Sequence, residues 1–250
     1  MSDYTTVSYA SLRGRHVLIT GGASGIGAEM VRAFCGQGAQ VSFLDIDTHA
    51  GRALADDTGA AFLTVDLTDI DALRVAVAQV QTHGPVQVLV NNAARDDRHL
   101  MGDVQPDHWR RILASNLDHQ FFATQAVVPD MAKMGRGSVI MMGSVSWMRG
   151  MPGMAGYTAA KAAINGMTIS LSRELGPLGI RVNCIVPGAV VTERQKALWL
   201  TPETELQILN EQALKFRLQP EHIARMALFL GSDESAGATG ANFIVDAGLS

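Results

Sequence analysis

The stretch His16-Val17-Leu18-Ile19-Thr20-Gly21-Gly22-Ala23-Ser24-Gly25-Ile26-Gly27 decides the fold. Its apolar and β-branched residues read as a short buried strand that the glycine cluster cannot continue. From Gly25 onward, Ile26, Met30, Val31 and Phe34 recur at helical spacing, so the segment is strand, tight turn, helix. Glycines at 21, 25 and 27 let the backbone turn sharply, approach a bulky anion and pack the helix against the strand. The helix N-terminus adds unpaired N–H groups and a partial positive charge, which suit a pyrophosphate. The spacing is Gly-x3-Gly-x-Gly, and an ordinary βα turn would read the same way from this stretch alone.

Outward from it, strand and helix patterns alternate to the end of the chain. Strand-like runs are His16 to Thr20, Gln40 to Asp45, Ala61 to Asp66, Val86 to Asn91, Gly137 to Gly143, Arg181 to Val186 and Asn242 to Val245. Helical patterns lie near 25–37, 48–57, 69–83, 106–134, 155–175 and 221–231. Seven strands with intervening helices predict an α/β fold, a doubly wound parallel sheet with helices on both faces, forming a single domain over 1–250. The longest departure from alternation is Val190 to Gln219, helical in composition and inserted after the sixth strand. Beside the carboxyl ends of strands, such an insertion reads as a substrate lid over about 190–219.

Composition narrows the function. Of 250 residues, 47% are hydrophobic and 18% charged, which is globular rather than disordered. A net charge of −4 without a basic run argues against nucleic acid as the main partner. No apolar stretch reaches the ~18 residues of a membrane span, and none between Met1 and Arg15 reads as a signal peptide. Cys35 and Cys184 lie far apart in apolar surroundings, as buried free thiols of a cytoplasmic protein do. No Cys-x-x-Cys or His-x3-His pair is present to hold zinc, so no metal is expected.

The strand ends carry the candidate binding groups. Asp45 ends the second strand, where a carboxylate can accept both hydroxyls of an adenosine ribose and repel a 2′-phosphate. Ile46, Asp47 and Thr48 follow with no base among them, which favours NAD over NADP; Asp47 or Thr48 suits a helix cap better than Asp45 does. Asp66, with Leu67 beside it, and Asn91-Asn92-Ala93-Ala94 close the next two strands. The paired asparagines suit a close turn, against a ligand or simply as a turn. Asn116 falls on the apolar stripe of its helix with Trp109, Ile112 and Leu113, so it is buried and needs partners. Tyr157 and Lys161 are an i,i+4 pair on one helix face, flanked by Ala155, Gly156, Ala159, Ala160, Ala162 and Ala163. A free tyrosine with a pKa of ~10 is a poor base at neutral pH, and a neighbouring ammonium can lower it. A surface Tyr–Lys pair has the same spacing.

Together these positions resemble the short-chain dehydrogenase/reductase family over nearly the whole chain. The matching pieces are Thr20-Gly21-x3-Gly25-Ile26-Gly27, Asp66, Asn91-Asn92-Ala93, Asn116, Ser144, Tyr157-x3-Lys161, Pro187-Gly188 with Thr192, and Thr239-Gly240 with Asp246-Ala247-Gly248. The resemblance implies a Rossmann-type fold and a homotetramer, the helices near 106–134 and 155–175 pairing across subunits. It implies Tyr157 as acid/base, Ser144 holding the reacting oxygen, Lys161 lowering the tyrosine pKa and binding the nicotinamide ribose, and Asn116 supporting a water linked to Lys161. For the cofactor it implies Gly21, Ser24, Gly25, Ile26, Gly27, Asp45, Asp66, Leu67, Asn92, Ala93, Pro187 and Gly188, with Val190 and Thr192 meeting the carboxamide. Ala94 and Ala247 stand where the family usually has glycine, and Ala94 then implies a turn with φ below zero.

The segments facing substrate look like those of bacterial aldose dehydrogenases, which oxidise pentoses or 6-deoxyhexoses such as D-xylose, L-arabinose or L-fucose at C1 to the lactone. A sugar needs many donors and acceptors around one apolar face. Arg95, Asp96, Ser146, Arg194 and Gln195 are the polar candidates, and Trp147 or Trp199 the stacking face. A ketone or 3-oxoacyl reductase of the same family would use the same catalytic set, with an open apolar channel and usually a base near Asp45.

Overall fold

The computed structural model describes residue 4 and residues 6–250; the reading of Met1 to Arg15 as leader-free falls partly outside these. Among them, seven strands form one all-parallel sheet: β1 (His16–Thr20), β2 (Gln40–Asp45), β3 (Ala61–Thr64), β4 (Val88–Asn91), β5 (Gly137–Met142), β6 (Ile180–Pro187) and β7 (Asn242–Val245). Their order is β3-β2-β1-β4-β5-β6-β7, every neighbouring pair parallel. The direction of winding reverses between β1 and β4, and the crevice at such a reversal is where open α/β sheets bind ligands.

Strand residues alternate between two cores. Val17, Ile19, Val88, Val90, Ile140 and Ile185 pack on α1 (Gly25–Gly36) and α9 (Pro220–Gly231), against Met30, Phe34 and Leu228. Leu18, Leu89, Val139, Met141 and Cys184 face the other way, onto α3 (Ile70–Gln81), α5 (His119–Met134) and α6 (Ala155–Leu175). With both faces covered, the strands are apolar throughout rather than alternating. α2 (Thr48–Thr58) is capped by Asp47, whose carboxylate accepts from Ala50 N–H at 3.0 Å, so Asp45 is free of that duty.

Two expectations need correction. The helical pattern at 106–134 is not one helix: α4 (Pro106–Leu113) runs into a π turn (Ala114–Asp118) before α5 begins. The third strand stops at Thr64, two residues short of Asp66, because Asp66 Oδ1 folds back onto the Thr68 N–H at 2.9 Å and its hydroxyl at 2.8 Å. The segment at 190–219 carries α7 (Glu193–Leu198) and α8 (Pro202–Glu211), pinned at its base by pairing of Val190 with Leu218.

Candidate active site

The register puts Thr20 beside Leu44 and Asn91, so the carboxyl ends of β1, β2 and β4 meet at the glycine turn. The turn is tight. A Cβ on Gly27 would lie 1.9 Å from the Gly21 carbonyl oxygen. Gly25 has φ +54°, and a Cβ there would point toward Thr192 Cγ2 at 3.4 Å, across the hollow between the turn and the loop after β6. Ser24 places no side-chain cap on α1, so its first N–H groups are left for an anion. Asp45 borders this hollow, accepting from the Ala23 N–H at 2.9 Å and the Asp47 N–H at 3.1 Å, one per oxygen, with lone pairs to spare. A bare helix start, a cradle that a methyl group would fill and a carboxylate at the next strand end fit a dinucleotide.

Asn92 is a structural lock. Its amide donates to the Thr20 and Gly21 carbonyls at 3.1 and 2.8 Å, while its own N–H and that of Ala93 donate to the Thr20 hydroxyl. Gly188 after Pro187 admits close approach of Asp246, whose Cα a Cβ on Gly188 would meet at 2.7 Å. Thr192 caps α7 by accepting from Gln195 N–H. Leu67 is half-buried and Asp66 exposed. Ala94 has no positive φ, as expected, whereas Ala247 sits at φ +59°, a glycine conformation held by an alanine.

Four groups converge below the hollow. Lys161 is 1% exposed and its ammonium donates to the Met142 carbonyl at 2.8 Å. Its Nζ lies 5.5 Å from the centre of the Tyr157 ring. The Ser144 hydroxyl accepts from the Ser146 N–H at 3.1 Å and acts on the Tyr157 phenol, lowering its pKa. Asn116 is fully buried in the π turn: Oδ1 accepts from Arg95 N–H at 2.9 Å, and Nδ2 donates to the Ile112 carbonyl at 2.9 Å. The turn swings this side chain inward and lets its amide bond the preceding turn of helix. Both ends of the amide are therefore engaged with the protein.

Burial pushes the Tyr157 phenol up to about 12; Ser144 and Arg98 pull it down, and Asp96 adds to the rise. The Lys161 ammonium lies 5.5 Å from the ring centre, and its lowering of the phenol belongs to the proposal below. Burial also drives Lys161 down to about 8.

The polar loops differ most from expectation. Arg95, Asp96, Arg194 and Gln195 bond one another instead of standing free. Arg194 reaches Asp96 at 3.3 Å and Asp97 at 2.6 Å, Gln195 donates to Asp96 at 3.1 Å, and Arg95 pairs with Asp97 at 3.3 Å. Opposite charges on the 95–97 loop and on α7 neutralise each other. Trp147 is exposed. Trp199 lies under the Arg98 guanidinium, 5.1 Å from its ring, with a buried Nε1 that has no protein partner; Ser146 Oγ is likewise buried and unpartnered.

Residues 21–250 match the family model described as enoyl-(acyl carrier protein) reductase. The chain belongs to the short-chain dehydrogenase/reductase family. It is 46% identical over 245 residues to a D-xylose 1-dehydrogenase of Caulobacter vibrioides, covering 96% of this chain and 97% of the relative. It is 45% identical over 248 residues to a probable galactose dehydrogenase of Rhizobium meliloti, covering 96% and 97%. A 3-oxoacyl-[acyl-carrier protein] reductase structure from Brucella melitensis superposes with TM-score 0.91 at 30% identity, over 100% of this chain and 96% of that one. The protein is thus an oxidoreductase acting on CH–OH groups with a nicotinamide cofactor.

Sequence reading of this dehydrogenase missed Gln120, His119 and Arg98. Gln120 follows Asn116 by four residues on the same stripe, and is as buried. The argument that singled out Asn116 reaches it too.

Proposed function

We propose that this dehydrogenase oxidises a free pyranose aldose, a pentose or 6-deoxyhexose such as D-xylose, L-arabinose or L-fucose, at C1 to its lactone with NAD. The observation that carries the reading is the Tyr157 phenol within reach of Ser144, its ring 5.5 Å from a buried Lys161 ammonium, in a chain nearly half identical to two sugar dehydrogenases. NAD rather than NADP follows from Asp45, whose free lone pairs meet ribose hydroxyls and repel a 2′-phosphate.

Gly25, Ile26 and Gly27 would hold the pyrophosphate, Asp45 the adenosine ribose, Lys161 the nicotinamide ribose, and Val190 and Thr192 the carboxamide. A bound nicotinamide supplies the two-electron acceptor. Tyr157 takes the proton of the anomeric hydroxyl, and Ser144 donates to the same oxygen as carbonyl character grows there, where added donor strength lowers the barrier. To act at neutral pH the phenol must fall well below the value burial gives it. The positive charge of an oxidised nicotinamide, added beside the Lys161 ammonium, would be the source. Ser146 Oγ and Trp199 Nε1 need hydrogen-bond partners that sugar hydroxyls provide. The segment 190–219, clasped through Arg194 and Gln195, covers the site and excludes water.

Initial rates across D-xylose, L-arabinose, L-fucose, D-galactose and acetoacetyl thioesters, with each nucleotide, test the reading. We expect turnover of at least one aldose with NAD, and clear separation of epimers, since an unpaired buried hydrogen-bond partner costs ~1–3 kcal/mol. Indifference to every aldose with ready thioester reduction would replace it with the ketone-reductase alternative. A homotetramer is part of the proposal; a light-scattering mass near the 26.6 kDa of one chain would contradict it.

A further inference from the structure

Behind Lys161 lies a buried polar cluster that the mechanism above does not use. Asn91 closes β4, Asn116 sits in the π turn and Gln120 opens α5, and all three side chains are fully buried. Gln120 Nε2 donates to the Asn116 carbonyl at 3.3 Å and to the Met142 carbonyl at 3.4 Å. The second acceptor is the oxygen that also takes the Lys161 ammonium at 2.8 Å. These two carbonyls fix the orientation of the amide, because the flipped form would set Oε1 against both. Gln120 is held from behind: its own carbonyl accepts from the Thr124 hydroxyl at 2.7 Å and from Asn91 Nδ2 at 3.2 Å.

Two groups are left incomplete. Gln120 Oε1 is buried without a partner. Lys161 has three N–H donors, of which the protein satisfies one. An orphaned buried acceptor costs ~1–3 kcal/mol, and interiors fill such gaps with ordered water. One water accepting from Lys161 and donating to Gln120 Oε1 would satisfy the acceptor and give the ammonium a second partner, leaving its third N–H for the nicotinamide ribose.

We propose that Gln120 is the positioning residue of Lys161: it shares the Met142 carbonyl with the ammonium, ties down the carbonyl of Asn116, and holds a water against Nζ. The proposal rests on the assignment of Lys161 and Tyr157 as the acid/base pair. The other titratable groups around the ammonium are Tyr157 on α6, His119 on α5 and Cys184 on β6. Burial and Lys161 hold His119 down to about 3, while burial raises Cys184 to about 11 and Tyr157 to about 12. Between pH 7 and 9, Lys161, held near 8, is the member of this cluster that titrates.

That assigns the test. A lysine whose folded pKa lies below its unfolded value loses its proton first in the folded state. Its burial penalty is complete below about pH 8 and is relieved as pH rises toward the unfolded value of 10.5. Urea unfolding of the cofactor-free protein from pH 6.5 to 10 reads this directly, and requires no knowledge of the sugar. In Gln120→Glu a carboxylate beside the ammonium lifts the lysine pKa, so the wild type should gain stability relative to this variant between pH 8 and 10. In Gln120→Met, which keeps the volume but loses the amide and its water, the gain should begin at lower pH than in the wild type. With whichever substrate proves active, the Met variant should lose roughly tenfold in kcat with substrate KM little changed, the pattern of a group acting in the transition state. A purely structural glutamine would shift stability equally at every pH. Flat differences for both variants, or unchanged kcat in the Met variant, would overturn the proposal. Absence of aldose activity in the wild type would overturn the proposed substrate and leave the unfolding comparison decisive for Gln120.

Discussion

Gly27→Ala should damage both folding and nucleotide binding, and the structure says by how much. The new methyl carbon would sit 1.9 Å from the Gly21 carbonyl oxygen and 2.6 Å from Asn92 Nδ2. Neither obstacle can rotate away. One is backbone in a turn between β1 and α1; the other is an amide bridging the Thr20 and Gly21 carbonyls. Overpacking costs ~1–3 kcal/mol where side chains can adjust, so a backbone obstacle belongs at the upper end, about 3 kcal/mol. In a chain of this size that lowers Tm by ~6–12 °C. Gly25→Ala is the control. Its methyl meets only Thr192 Cγ2 at 3.4 Å, but φ +54° strains an alanine by ~1–2 kcal/mol, and the group narrows the cradle. In thermal melts Gly27→Ala should therefore lose more stability than Gly25→Ala, and in NADH fluorescence titrations both should lose nucleotide affinity. A Gly27→Ala melt within about 2 °C of the wild type, or a larger loss in Gly25→Ala, would refute the steric reasoning.

Tyr157→Phe should leave NADH affinity nearly intact and lower kcat by at least ~100-fold, the usual contribution of a general base; a variant keeping a tenth of wild-type kcat would speak against that role. Asp45→Ala should narrow the preference for NAD over NADP in kcat/KM, and a wild type that favours NADP would show the carboxylate to be misassigned. Ala247→Gly should stabilise the protein by about 0.5–1 kcal/mol in urea unfolding, because relief of the φ +59° strain exceeds the added chain entropy of glycine.

Much of this architecture is legible in the sequence, for physical reasons. A parallel sheet covered on both faces writes continuous apolar strands between amphipathic helices, and Val17 to Ile19 or Val139 to Met141 show that signature. The proposed catalytic residues are legible because Tyr157 and Lys161 share a helix face and Asn116 is a polar residue on an apolar stripe. The π turn was not, since one extra residue in a long helix barely disturbs apolar spacing. The tyrosine pKa was not either. Its direction is set first by burial of the phenol, which an i,i+4 spacing leaves open. The charged residues failed differently: Asp96 and Arg194 are distant in sequence, and nothing in either segment tells that each answers the other. Single residues on a loop and a facing helix read as ligands for a third party until both are seen together.

That clasp makes the proposed cover responsive to its solvent. Arg194 and Asp97 are 41% and 47% exposed, while Asp96 is 16% exposed. Charges so open to water are screened over about 8 Å at physiological ionic strength, and less far as salt rises. The locks beneath, the Asn92 amide on backbone carbonyls and the ammonium on Met142, are neutral-acceptor bonds in the interior that added salt leaves alone. Salt therefore acts on one layer of this molecule and not on the other, loosening the door while the room behind it keeps its shape.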